Sequence, residues 1–256
     1  MPKKIPPVLI DFDGVLKIGD KLAPDAVDFF KFIKETGIPS LILSNSSLKT
    51  GQEITTFLKD NSIDNNISAL TAVDAANNFV QKNYKAVSVY CIDSVKKIFG
   101  KYINDENPEA VIIGDLGDKW NYAIMNEIFN KVLAGADLIA MHKNKFWKPD
   151  DKNISLDAGP FIAALEYASS KEAILIGKPS EIYFRSALNQ LGVKKGGEFI
   201  MIGDDIENDI NAVQEIGGKG ILVYTGKTKF PLKQKIKKPD YEAFNLKEVI
   251  SILKKL

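Results

Sequence analysis

Residues 8–20 read VLIDFDGVLKIGD: a short apolar run, two carboxylates at Asp11 and Asp13, then Gly14. Val8, Leu9 and Ile10 read as a buried strand. Carboxylates are costly to desolvate, so two of them at the end of such a strand call for a cation or for immediate exit into solvent. The rest of the chain decides between these. Short apolar runs alternate with helix-length segments: VLIDF is followed by PDAVDFFKFIKETG, with Pro24 near the helix start and Gly37 just past its end. IPSLILS, AVSVYC, AVIIGD, DLIAMH, AILIGK, EFIMIGD and GILVYTG follow in order. This pattern predicts an α/β protein with parallel sheets and crossover helices.

Four polar patches, DFDG, LSNSS, IGKPS and IGDD, each sit at the carboxyl end of an apolar run. In open α/β sheets that is where ligands bind. Between LSNSS and IGKPS lie about 130 residues, too many for one crossover and holding their own strand–helix alternation. The reading is a Rossmann-like core over 1–79 and 173–256, with an inserted second α/β domain over 80–172.

Bulk composition excludes several classes. Of 256 residues, 34 are Lys or Arg and 33 Asp or Glu, a formal charge of +1 that gives no electrostatic reason to expect nucleic acid or an anionic membrane. Arg185 is the only arginine, whereas surfaces built for bidentate phosphate recognition favour arginine. Cys91 is the only cysteine and reads as a small core residue, which suits a reducing compartment. The N-terminal apolar run is short and interrupted by acid, so no signal peptide is expected. With no long apolar run, the expectation is a soluble cytoplasmic protein.

Asp11, Asp13, Asp204 and Asp209 make a hard, oxygen-rich site suited to Mg²⁺. One histidine, His142, and one cysteine do not make a zinc site. A Ser-His-Asp hydrolase would have to use His142, which lies far from any GxSxG pattern. Ser44 and Lys178 add a hydroxyl and an ammonium, a receptor for a dianionic phosphoryl group. Asp11 reads as nucleophile and metal ligand, and Asp13 as general acid and base.

DFDGVL, LILSNSS, IGKPS and MIGDDIENDI resemble, in order, the four motifs of the haloacid dehalogenase superfamily of phosphohydrolases. The insert after the second motif resembles the subgroup with a large α/β cap. Residues 138–169 and 201–227 are similar to the branch of the phospholysine phosphohistidine inorganic pyrophosphate phosphatase and the haloacid dehalogenase-like hydrolase domain-containing proteins. The resemblance implies that Asp11 is the nucleophile and binds Mg²⁺, and that Asp13 is the acid/base residue whose backbone carbonyl is a second ligand. It implies Asp204 as the acidic metal ligand, with Asp209, and less directly Asp205, in support. Ser44 with Asn45 would bind the phosphate, and Lys178 would hold both nucleophile and phosphoryl group. Some members of the branch carry Ser where this chain keeps Asp13; retention of Asp13 favours ester hydrolysis over phosphoamide chemistry and disfavours dehalogenation.

The expected activity is Mg²⁺-dependent hydrolysis of small phosphorylated metabolites under a closing cap. Phe146, Trp147 and Lys148, in a polar cap segment, are expected to help select the substrate. Subgroup members pair through their caps, which implies a homodimer. A low-turnover phosphate-binding or regulatory module and a phosphotransferase are the alternatives. A receiver-type signalling domain is about half this size and has no inserted domain.

Overall fold

The computed structural model describes residues 5–63, 66–147, 153–233 and 237–256. Along the chain the strands are β1 (Val8–Ile10), β2 (Lys17–Ile18), β3 (Lys21–Leu22), β4 (Ser40–Ser44), β5 (Ser68–Thr71), β6 (Val87–Tyr90) and β7 (Ala110–Ile113). Then come β8 (Asp137–Ala140), β9 (Phe146–Trp147), β10 (Ser155–Leu156), β11 (Ile174–Leu175), β12 (Ile200–Gly203), β13 (Lys219–Val223) and β14 (Tyr241–Ala243). The chain is an α/β protein, and it divides into two compact units.

The first unit, Met1–Ser44, Gly51–Leu70 and Lys178–Leu256, is built on a six-stranded sheet ordered β14-β13-β12-β1-β4-β5. From β14 through β4 every neighbouring pair is parallel. β1 is central and buried throughout, which is why Val8–Ile10 carries no polar residue. Its register aligns Ile10 with Ile42 on one side and Ile202 on the other. Helix Ala26–Thr36 buries Ala26, Phe29, Phe30 and Ile33, the spacing of one helical face, against this sheet's apolar layer. It stops at Gly37, whose φ of 63° is the left-handed conformation glycine adopts without strain.

The second unit, Asn45–Thr50 and Thr71–Gly177, contains a four-stranded parallel sheet ordered β11-β8-β7-β6. Helices Tyr122–Leu133 and Ala158–Ser169 pack on it around Val111, Ile113, Ile128, Leu138 and Ile162. Each is capped by its preceding residue: the Asn121 side chain accepts from the Ile124 N–H, and Asp157 from the Ala158 N–H. The unit boundaries fall at 70/71 and 177/178, against the 79/80 and 172/173 read from sequence. The first shift arises because helix Ala72–Asn83 packs on the 3₁₀ turn Lys97–Tyr102 of the second unit. The second arises because β11 pairs with β8. No helix among the described residues is long and apolar enough to cross a membrane.

Candidate active site

The carboxyl ends of β12, β1 and β4 lie side by side, and each delivers a polar residue. Asp11 follows β1, Asp204 follows β12, and Ser44 closes β4. The Asp11 N–H donates to the Ile202 carbonyl at 2.8 Å, so the β1–β12 ladder fixes the nucleophile candidate beside its neighbour. After β12 the chain enters a π-helical turn, Ile206–Asn211, that carries Asp209. Such wide turns are rare and frequently occur at functional sites.

Asp11, Asp204 and Asp209 are all buried, with carboxylate oxygens within 4.8 Å of one another. Lys178, also buried, lies between β11 and helix Glu181–Gln190. Its Nζ is 2.6 Å from Asp11 Oδ1 and 2.7 Å from Asp209 Oδ1. One ammonium is therefore paired with two carboxylates of a cluster of three.

The electrostatics follow from that imbalance. Burial pushes the Asp11 carboxyl up to about 7; Lys178 pulls it down and the Asp204 charge adds to the rise. Burial raises Asp209 as well, with Lys178 opposing and Asp11 adding. Asp204 is raised by burial first and by the Asp209 charge second. Burial alone would lower Lys178, but the charges of Asp11 and Asp209 outweigh it and hold the ammonium above the usual lysine range. A buried, oxygen-only cluster with surplus negative charge fits a hard divalent cation such as Mg²⁺.

The remaining candidates fall in different places. Asp13 is exposed on the loop after β1, its carboxylate 3.4 Å from Lys17 Nζ and outside the buried cluster. Ser44 is buried, and its carbonyl accepts from the Tyr183 hydroxyl at 2.6 Å. Asn45 is half-buried and opens the stretch grouped with the second unit. Asp205 is a helix cap: its Oδ1 accepts from the N–H groups of Glu207 and Asn208 at 3.0 and 3.1 Å. Its backbone N–H donates to Asp209 Oδ2 at 3.2 Å. Lys227 outweighs burial and holds the Asp205 carboxyl below its ordinary range. Phe146 and Trp147 form β9, paired antiparallel with β10, and each is about half exposed. Lys148 lies outside the described residues.

The structure adds a loop that sequence reading did not single out. After β13, Thr225, Gly226 and Lys227 close around Asp204. The Lys227 N–H donates to Asp204 Oδ2, its Nζ pairs with Asp205, and the Thr225 hydroxyl donates to the Gly14 carbonyl. A Cβ on Gly226 or Gly14 would overlap Asp204 Oδ2, and Gly14 has a φ of +92° besides. The available signal was the tail of GILVYTGK, another polar patch ending an apolar run. Tyr183, between the Ser44 and Leu70 carbonyls, left no such signal.

Comparison with known proteins agrees with this geometry. A family model described as haloacid dehalogenase-like hydrolase matches residues 8–102, and a second hydrolase-like model of that family matches 175–249. Haloacid dehalogenase-like hydrolase domain-containing protein 2 of Bos taurus is 34% identical over 91% of this chain and 90% of its own. The chain belongs to the haloacid dehalogenase-like hydrolases. The phospholysine phosphohistidine inorganic pyrophosphate phosphatase of Bos taurus is 32% identical over 86% of this chain and 83% of its own. Among solved structures, the p-nitrophenyl phosphatase from Archaeoglobus fulgidus superposes with a TM-score of 0.86 at 25% identity, covering 98% of this chain and 100% of that one. With these relatives, this family member is a hydrolase of the phosphatase class.

Proposed function

We propose that this phosphatase is Mg²⁺-dependent and hydrolyses small phosphorylated metabolites through an aspartyl-phosphate on Asp11. The observation that carries the reading is the buried triad Asp11, Asp204 and Asp209, two of them paired with Lys178, at the carboxyl side of adjacent parallel strands. Asp11, Asp204 and the Asp13 backbone carbonyl would hold the ion, with Asp209 in support. When bound, it supplies the positive charge that keeps these carboxylates ionised and draws in the phosphoryl oxygens.

Lys178 holds one Asp11 oxygen at 2.6 Å, leaving the other for attack on phosphorus. As the Asp11–phosphorus bond forms, the ester oxygen leaves and takes the proton of the Asp13 carboxyl. Asp13 then removes a proton from water, whose oxygen attacks the same phosphorus and releases phosphate from Asp11. Exposure suits Asp13 for this exchange, since it must meet both leaving group and water. Ser44 and Asn45 orient the phosphoryl group from the end of β4.

The test is phosphate release from a panel of phosphate esters, with and without Mg²⁺. Turnover is expected only with the metal, and Asp11→Asn should lower it by at least about 10³-fold. Metal-independent turnover, or an active Asp11→Asn, would contradict the reading. In the same panel Trp147→Ala should change the relative rates between esters, because two half-exposed aromatics on the β9–β10 hairpin suit contact with a leaving group. Unchanged ratios would remove Phe146 and Trp147 from specificity.

A further inference from the structure

His142 is the single histidine of the chain, and it is buried. The equally buried Ser47, 95 residues earlier, places its Oγ 3.0 Å from His142 Nε2. On the other side of the ring, the Asn144 N–H donates to Nδ1 at 3.3 Å. A neutral imidazole that accepts at Nδ1 carries its proton on Nε2. Nε2–H therefore donates to the Ser47 hydroxyl. Asp157 Oδ1 lies 3.7 Å from that same nitrogen and also accepts the Ala158 N–H as a helix cap.

Serine, histidine and aspartate thus meet, but not as a nucleophilic triad. In a triad the acid orients one ring nitrogen while the other, unprotonated, takes the serine proton. Here the nitrogen facing the hydroxyl already holds the proton, and the acid lies on the same side. The arrangement fastens Ser47 rather than activating it. Burial holds the imidazole below its ordinary 6.5, with the charges of Asp157 and Asp115 opposing, so the neutral form is the one present near pH 7.

Ser47 lies in the stretch Asn45–Thr50 that leads from β4 to helix Gly51–Asp60. Upstream, Tyr183 holds the Ser44 carbonyl. Within the stretch, the Ser46 hydroxyl accepts from the N–H groups of Leu48 and Lys49 at 3.3 and 3.1 Å, forming a local turn. The His142 bond then ties this turn to a distant part of the chain.

We propose that His142 is a positioning residue: through Nε2–H and the Ser47 hydroxyl it fixes the stretch after β4 so that Ser44 and Asn45 are preorganised for the substrate phosphoryl group. This rests on the phosphatase reading of Ser44 and Asn45. Preorganisation of this kind lowers the ordering cost of binding and acts on ground and transition states alike. It is expected in KM rather than kcat.

Because His142 is alone, long-range ¹H–¹⁵N NMR of tag-free protein reads its tautomer and titration without assignment. The expected result is the Nε2–H tautomer, titrating below 6.5, with the Nε2 resonance displaced in Ser47→Ala. Ser47→Ala should also raise KM for p-nitrophenyl phosphate, and Kd for inorganic phosphate in Mg²⁺, about five- to tenfold, with kcat within about twofold. Ser47→Thr, which keeps the hydroxyl, should restore both. A bond serving stability alone would lower the melting temperature and leave KM and Kd untouched. An Nδ1–H tautomer, or unchanged phosphate affinity in a folded Ser47→Ala, overturns the proposal. Failure of the wild type to hydrolyse any ester would instead sink the phosphatase reading, and the phosphate Kd would then decide on His142 by itself.

Discussion

At Asp11 the chain places a carboxylate where burial disfavours its charge, and this has a measurable consequence. Its pKa is raised from 3.8 to about 7. A carboxyl that binds its proton more tightly when folded contributes stability that is full below its unfolded pKa and is lost as pH rises through its folded one. In metal-free protein this contribution is present near pH 4 and gone by about pH 8. The melting temperature without metal should therefore fall across that interval, and Mg²⁺ should raise it at pH 8 far more than at pH 5. Asp11→Asn, which removes the titrating group, should flatten the metal-free slope. A melting temperature that rises steadily with pH, or an equal Mg²⁺ effect at both ends, would contradict the charge balance described here. Asp11, Asp204 and Lys178 were legible in sequence because each ends or follows an apolar run. Asp209 was already preferred over Asp205 there, but by its match to the last motif, since both are acids in IGDDIENDI. The π-helical turn separates them, turning Asp209 inward and leaving Asp205 as the cap.

Among elements, the strands that anchor the site were the clearest to read, because central parallel strands are buried on both faces and appear as unbroken apolar runs. β5 and β14 were not seen. Ser68–Thr71 runs directly into helix Ala72–Asn83, so its alternation merges with the helical pattern, and Tyr241–Ala243 is three residues long. The β9–β10 hairpin read as a polar loop because its strands are two residues each. The Thr225–Lys227 loop after β13 matters most among these omissions, since its backbone approaches Asp204 so closely that no side chain fits at Gly226. Gly226→Ala must displace the loop or the carboxylate. It should weaken Mg²⁺ affinity about 10- to 100-fold, as loss of support around a ligand does, while the protein remains folded. Calorimetric titration with Mg²⁺ checks this, and an unchanged affinity would show that the loop gives way freely.

For the molecule as a whole, the insertion was legible from the length between LSNSS and IGKPS, whereas its edges depend on packing. Helix Ala72–Asn83 reads equally well as part of either unit, and only its buried contacts assign it. Assembly belongs to this scale too. In the second unit Tyr122 and Leu133 on one helix, and Tyr167 on the next, are large side chains left exposed. They suit the homodimer that we propose through this unit. Sedimentation should give a mass about twice 28.3 kDa, falling toward the single-chain value in Tyr122→Glu/Tyr167→Glu protein. A monomer at all concentrations would remove the dimer from the account.

The central claim is that Asp11 carries the phosphoryl group between substrate and water. Asp13→Asn should slow breakdown of that intermediate, because no carboxylate remains to activate water. The most direct measurement is therefore mass spectrometry of Asp13→Asn protein, acid-quenched during turnover of p-nitrophenyl phosphate with Mg²⁺. The account predicts one phosphoryl group on the peptide containing Asp11, lost when Asp11→Asn is added. Turnover with that peptide unmodified, or a phosphoryl group on another residue, would contradict it.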